Sequence, residues 1–269
     1  MRGLKQGIGC QYVALVISAG TALGGGLTLE PKRNSVEFKV HGKYALFSDP
    51  LTRSGGEKFS YQVPTYQALK GILESVYWKP TFVWCIDAMR VMNRIQTECK
   101  GVRPVKHFAA SGGNDLAYYT YLKEVEYEVT AHFEWNIYRP ELTHDRDEHK
   151  HHNIAKRAIR QGGRRDVFLG TRECQAYVEP CNFNENAGFY DKNYGSLDFG
   201  FMFHGFDYPD ETGKKELSVR FWRQVMDNGV IKFAPPREIE ARRVVRVYGD
   251  KFEFKRFEEG VNFISELVH

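Results

Sequence analysis

Apolar positions recur along the chain with two different periods, and the switches between them mark its elements. In residues 35–42, Val36, Phe38 and Val40 alternate with their neighbours, the two-residue period of a half-buried strand. Residues 48–63 are rich in Ser, Gly and Pro and read as a loop. Pro64 is then expected to open a helix, at a position where its missing N–H costs nothing. Tyr66, Leu69, Ile72, Leu73 and Val76 follow at helical spacing and define its buried stripe, and Pro80 is expected to stop it. Residues 81–91 form a second predicted strand, built on Phe82, Val83, Trp84 and Ile86. Polar and Gly-containing sequence up to residue 122 predicts a long, irregular hairpin. The clearest strand covers residues 124–138, alternating through Val125, Tyr127, Val129, Ala131, Phe133, Trp135 and Ile137.

Residues 140–147 read as a turn, and 150–161 as a short basic helix closed by Gly162 and Gly163. Residues 166–169 and 173–178 supply a further strand. The order strand, helix, strand pair, strand, helix, strand is the βαββαβ ferredoxin-like plan with an elaborated hairpin. Past Pro180 the pattern changes to short alternating runs (200–206, 216–221, 230–233) between Gly, Asn, Asp and Pro turns. The expected fold is therefore α+β. A ferredoxin-like domain (34–180) is followed by a small β-rich C-terminal domain (181–269).

Residues 1–33 differ from both. Arg2 and Lys5 precede an apolar run, 12–23, and then Gly24, Gly25 and Gly26, which has the outline of a signal peptide. The run falls short of the roughly 20 apolar residues that a spanning helix needs. Residues 1–33 are expected to be a poorly packed and idle extension, and no other segment is apolar enough to span a membrane. The five cysteines, Cys10, Cys85, Cys99, Cys174 and Cys181, contain no C-x2-C pair. They read as reduced thiols of a cytoplasmic protein.

At 269 residues, with 42% hydrophobic and 27% charged residues, the chain is neither disordered throughout nor a fibrous repeat. Its net charge of +4 names no partner, but the charge is unevenly placed. Between residues 150 and 172, Lys150, Lys156, Arg157, Arg160, Arg164, Arg165 and Arg172 face one acid, Asp166. Such a run is either a solvated helix face or a track for a polyanion, RNA or DNA. Gly162 and Gly163 would let backbone amides approach a phosphate, and Arg forks grip phosphate through two parallel hydrogen bonds. Arg242, Arg243, Arg246, Lys251, Lys255 and Arg256 offer an extension of the track.

In front of this helix lies a dense run from Asp145 to His152, with His149, Lys150, His151 and His152 adjoining Asp145 and Asp147. It fits a transition-metal site in composition but carries no H-x3-H or HExxH spacing, and adjacent histidines on a helix diverge. It fits acid–base chemistry as well, since an imidazole titrates near neutrality and a lysine can neutralise a phosphate in transit. Tyr77, in Tyr77-Trp-Lys-Pro80, is either an aromatic cap on the core or a functional hydroxyl at a helix end.

Longer stretches carry a resemblance. Tyr44-Ala-Leu-Phe-Ser-Asp-Pro-Leu51, Gly55-Gly-Glu-Lys58, Ser60-Tyr-Gln-Val-Pro-Thr-Tyr-Gln-Ala-Leu-Lys-Gly-Ile72, Tyr77-Trp-Lys-Pro80 and Lys100-Gly-Val-Arg-Pro104 are among them. Gly162-Gly-Arg-Arg-Asp166, Phe168-Leu-Gly-Thr-Arg-Glu-Cys-Gln175 and His204-Gly-Phe-Asp-Tyr-Pro-Asp-Glu-Thr-Gly213 continue it. Together they resemble the CRISPR-associated endoribonucleases of type I-C systems, the "d" subtype of the Cas-five group in the RAMP superfamily. The likeness runs from about residue 35 to 235.

The resemblance implies a ferredoxin-like domain followed by a small β domain. It implies cleavage of the CRISPR precursor transcript within each repeat, below the hairpin, and because RNA carries its own 2′-hydroxyl nucleophile the expected chemistry needs no metal or other cofactor. The enzyme would then stay on the 5′ handle of the crRNA as a subunit of the surveillance complex, beside the backbone and large subunits. The family's catalytic Tyr, Lys and His fall on Tyr77, Lys150 and His151, while the flanking His149 and His152 depart from its pattern. From the charge clustering, the expected RNA-binding residues are Lys156, Arg157, Arg160, Arg164, Arg165 and Arg172. DNA, lacking the 2′-hydroxyl, would bind without being cut. Two other readings stay open: a subunit that holds the handle without cutting, and a metal-dependent nuclease built on the His149–His152 run.

Overall fold

A computed structural model describes residues 33–248 apart from 51, 53–55, 104–115 and 192–193. The N-terminal extension, except Arg33, lies outside the described residues, as do Lys251, Lys255 and Arg256. The fold is mixed α and β, and almost all of its strand pairs are antiparallel.

Strand β1 (Val36–Ala45) and the two-residue β2 (Lys58–Phe59) precede helix α1 (Tyr66–Val76). Pro64 does not open this helix. Thr65 caps it, its Oγ1 accepting the Ala68 N–H at 3.2 Å, because a threonine oxygen satisfies an amide that the helix start leaves unpaired. The expected stripe is in place, with Tyr66, Leu69, Ile72, Leu73 and Val76 all buried. The helix also ends before Pro80: Tyr77 turns extended (φ −156°), and its N–H closes the last turn on the Leu73 carbonyl at 2.9 Å.

Strands β3 (Phe82–Val91), β4 (Thr97–Val102) and the 19-residue β5 (Ala117–Trp135) follow. A 3-10 turn (Pro140–Asp145) leads into α2 (Glu148–Arg160), and β6 (Val167–Phe168) and β7 (Gln175–Pro180) form a hairpin. Gly170 in that hairpin has φ +89°, and a Cβ there would stand 2.0 Å from the Leu46 carbonyl oxygen, so only glycine fits. Then come β8 (Ser196–Asp207), the single-turn α3 (Pro209–Thr212), β9 (Glu216–Asp227), β10 (Val230–Lys232) and β11 (Arg242–Val247).

The sheet runs β11-β9-β10-β3-β5-β1-β7-β6, with β2 and β4 on β5 and β8 on β9. Phe38, Trp84, Val129 and Phe133 share one buried cluster with Leu69, Leu73 and Val76 of α1 and Ala155 and Ile159 of α2. Ile137, expected on this apolar face, lies beyond the strand in a turn and is 67% exposed. The β region after Pro180 joins the same sheet through β10 on β3, Ile231 opposite Met89. No helix among the described residues is long and apolar enough to cross a membrane.

Two buried polar contacts fasten α1 to the C-terminal strands. Lys70 bonds both oxygens of Glu211 in α3, at 2.6 and 2.7 Å. His204 of β8 stacks on Tyr66, ring centroids 4.3 Å apart, and accepts the Arg220 Nε–H on Nδ1 at 3.3 Å. Burial, with the Arg220 charge adding to it, pushes the His204 imidazole down to about 3. The unfolded chain therefore takes up a proton near pH 6.5 that the folded chain refuses until pH falls to about 3. Stability contributed by neutral His204 is complete above pH 6.5 and declines through that window, by up to about 1.4 kcal/mol per pH unit. Denaturant midpoints measured from pH 7 to 5 will fall more steeply for the native chain than for His204→Gln.

Candidate active site and basic surface

The extended turn at Tyr77 carries its ring inward beneath α2, and its carbonyl accepts the Trp84 Nε1–H at 2.7 Å. Asp147 caps α2 by accepting the Lys150 N–H, which places Lys150 and His151 in the first turn of the helix. Lys150 points outward and His151 points inward. Tyr77 and His151, 74 residues apart, meet with Oη 2.7 Å from Nδ1. The other ring nitrogen, Nε2, lies 2.7 Å from the Asp145 carbonyl oxygen, which can only accept. In the neutral ring the proton therefore sits on Nε2, and the Tyr77 hydroxyl donates to Nδ1.

Asp145 is the hub of the cluster. Its carboxylate takes Lys150 Nζ at 2.5 Å and the Thr81 hydroxyl at 2.8 Å, and its Oδ2 lies 3.4 Å from His151 Nε2. The Lys150 hydrogen bond, ahead of other causes, holds the Asp145 carboxyl below the usual carboxylate value. Burial raises the Tyr77 phenol, opposed by the Arg164 guanidinium 4.8 Å above its ring. Phe82, Phe133 and Trp135 wall the imidazole on its remaining sides. His151 is 0% exposed and Tyr77 1%, so the pair is closed to solvent, with Lys150 and Arg164 as its outer charges.

The neighbouring histidines go elsewhere. His149 accepts from Arg33, and His152 donates to the Ser35 carbonyl, so the four side chains His149, His152, Asp145 and Asp147 build no metal centre. Divergence along the helix separates the two histidines. The reading of Gly162 and Gly163 as phosphate-binding amides also changes. Their N–H groups donate to Ile159 and Ala158, unpaired carbonyls at the end of α2, and that of Arg164 donates to Val76 at the end of α1.

Lys156, Arg157, Arg160, Arg164, Arg165 and Arg172 are all exposed, and among the described residues none of them forms an ion pair. Their charge is uncompensated, which a polyanion surface needs and an ion-paired helix face lacks. Arg164 joins this surface to the buried pair by lying over Tyr77. In the second basic stretch, Arg242 lies 3.7 Å from Asp207 and Arg246 lies 5.0 Å from the Tyr248 ring centroid.

Sequence reasoning weighed Asp145 only as a metal ligand and missed its role as a hub, since its partners lie at Thr81 and one helical turn ahead. It also missed a group on the other face of the sheet, where Cys85, His132 and Glu134 converge from β3 and β5. No local motif marks either.

The chain is similar to known proteins. Two relatives carry the name CRISPR pre-crRNA endoribonuclease Cas5d. The one from Thermus thermophilus is 28% identical over 192 residues, covering 69% of this chain and 79% of its own length. The one from Mannheimia succiniciproducens is 26% identical over 233 residues, covering 78% of this chain and 99% of its own length. A crystal structure of a CRISPR-associated protein superposes with a TM-score of 0.62 at 35% identity, covering 78% of this chain and 96% of that one. The CRISPR-associated protein family Cas_Cas5, in its Cas5d form, matches residues 35–234, and the chain belongs to that family.

Proposed function

We propose that this chain is a metal-independent endoribonuclease that cuts CRISPR precursor RNA within the repeat, below its hairpin. It then remains on the crRNA 5′ handle as a subunit of the type I-C surveillance complex, beside the backbone and large subunits, in the cytoplasm. The observation that carries this reading is the 2.7 Å contact of Tyr77 Oη with His151 Nδ1, with Lys150 held on the adjoining Asp145. The names of the two relatives support it. The strand order β7-β1-β5-β3, with α1 and α2 as the connecting helices, supports a ferredoxin-like plan for residues 34–180.

RNA brings its own nucleophile, the 2′-hydroxyl beside the scissile phosphate. Its oxygen attacks phosphorus, the bond to the 5′ oxygen breaks, and a 2′,3′-cyclic phosphate and a 5′-hydroxyl result. One group must take the 2′ proton, one must protonate the leaving oxygen, and a cation must meet the charge on the phosphorane. Tyr77 and His151 form the proton-transfer pair, and Lys150 is the cation. Because the pair is closed, the phosphate has to draw Lys150 off Asp145 and Arg164 off the Tyr77 ring before it can react. The exposed cations from Lys156 to Arg172 would grip the repeat backbone, and stem shape with a few unpaired bases would select it. Arg164→Ala should then lower the slope of log affinity against log salt by about 0.7–0.9, one phosphate contact. Filter binding across a salt series measures it.

The test is single-turnover cleavage of the cognate repeat RNA in excess EDTA, with product ends identified. Cyclic-phosphate ends, lost when one 2′-hydroxyl is replaced by hydrogen, support the reading, and DNA of the same sequence binds uncut. A requirement for added metal overturns the mechanism. A second reading, a subunit that holds the handle without cutting, is favoured by the full burial of His151 with both ring nitrogens engaged. Tight binding without cleavage would select it.

A further inference from the structure

We propose that Cys85, His132 and Glu134 form a site for a divalent transition metal of the zinc class, with Asp87 as the outer partner of the histidine. The register of β3 on β5 sets Cys85 opposite His132 and Val83 opposite Glu134, so thiol, imidazole and carboxylate fall on one face of two adjacent strands. Their ligand atoms lie within 4.8 Å of one another. In tetrahedral zinc coordination, bonds of about 2.0–2.3 Å put neighbouring ligand atoms roughly 3.3–3.8 Å apart, so movements of about 1 Å close the site. Such a site, three protein ligands with the fourth position left to water, differs from a closed four-ligand structural one.

Further observations make this more than a chance grouping. His132 Nδ1 lies 2.9 Å from an Asp87 carboxylate oxygen, which fixes the ring with Nε2 toward Glu134 Oε1 at 3.5 Å. A carboxylate behind the distal nitrogen of a ligating histidine is the recurring outer partner in zinc sites. Asp87 stands two residues after Cys85 on β3, where strand alternation turns both to one face, and the β3–β5 register shifts at that point. Arg237 lies 3.0 Å from Glu134, so that carboxylate already keeps a cation partner beside the site. Thiolate, imidazole and carboxylate together suit zinc, whereas magnesium and calcium take oxygen. The site alternates with Trp84 and Phe133, whose rings face the opposite side of the sheet toward His151 and its neighbours. The metal would tie β3 to β5 without entering RNA cleavage, so the proposal stands apart from the function proposed above.

The full-length protein, stripped with chelator and dialysed, should take up one equivalent of Co2+ with a near-ultraviolet thiolate-to-cobalt charge-transfer band, which Zn2+ displaces. Zn2+ should raise its melting temperature. Cys85→Ser should remove the band, and Cys99→Ser should keep it. Asp87→Asn leaves all three ligands and should weaken Co2+ binding 10–100-fold. It keeps the test open should Cys85→Ser fail to fold. Absence of the band in the native protein overturns the site, as does a band and affinity unchanged by both Cys85→Ser and Asp87→Asn.

Discussion

On the proposed function, His151→Ala should lower the single-turnover rate of repeat-RNA cleavage by about 10²–10⁴-fold, the usual contribution of one positioned proton-transfer group. RNA affinity should stay near that of the native chain, because the exposed cations proposed to grip the RNA backbone lie on the outer side of α2 and beyond it. The imidazole is also a structural part: Phe82, Phe133 and Trp135 surround it, so alanine opens a cavity and leaves the Tyr77 hydroxyl unpaired. Tyr77→Phe separates the two effects, since it keeps the ring and removes only the hydroxyl that meets Nδ1. A large loss of rate in Tyr77→Phe with a melting temperature close to native assigns the pair to chemistry. Losses in stability without a change in rate assign it to packing.

Glu211→Ala is expected to produce a large loss of stability. Lys70 is 3% exposed, and Glu211 pairs with it through both carboxylate oxygens. Removing one member of a buried pair costs about 3–5 kcal/mol, because the remaining charge has lost both water and its partner. Glu74, 3.8 Å from Lys70 one turn along α1, takes over part of the charge and sets the expectation near about 3 kcal/mol. For a chain of this size that corresponds to a fall of roughly 6–12 °C in melting temperature, measurable by calorimetry. The double variant Lys70→Met, Glu211→Gln should recover much of the loss, since no charge is then left buried. Recovery would separate the desolvated lysine from a simple loss of contacts between α1 and α3.

Elements whose identity rests on their own stripe were legible in the chain: β1, α1 and β5 appear where Val36–Phe38–Val40, Leu69–Leu73–Val76 and Val125–Val129–Phe133 predict them. Their ends were less so. Whether Pro64 or Thr65 starts α1 depends on one hydroxyl reaching Ala68, and the end at Val76 depends on Tyr77 turning inward to His151. Neither fact has a periodicity. The pairing of β10 with β3 and the meeting of Asp145, Thr81 and Lys150 were illegible for a stronger reason. They join distant residues, and register decides them. The family resemblance named Tyr77, Lys150 and His151, which the fold brings together around Asp145. It was silent on Cys85 and His132, which face each other only because of how β3 and β5 align.

The pairing of β10 with β3 has a consequence for synthesis. Val230 lies opposite Arg90, so this edge of β3 waits for residues made 140 positions later. Until then a nascent chain that has completed β7 presents the N–H and C=O groups of β3 to solvent and to other chains, the kind of edge that templates aggregation. Contacts so distant in sequence also close slowly. A fragment ending at Pro180, although it holds both longer helices and the pair Tyr77–His151, would leave the ribosome with an adhesive flank. The last strands thus act as a permanent cover that the rest of the chain cannot fold safely without.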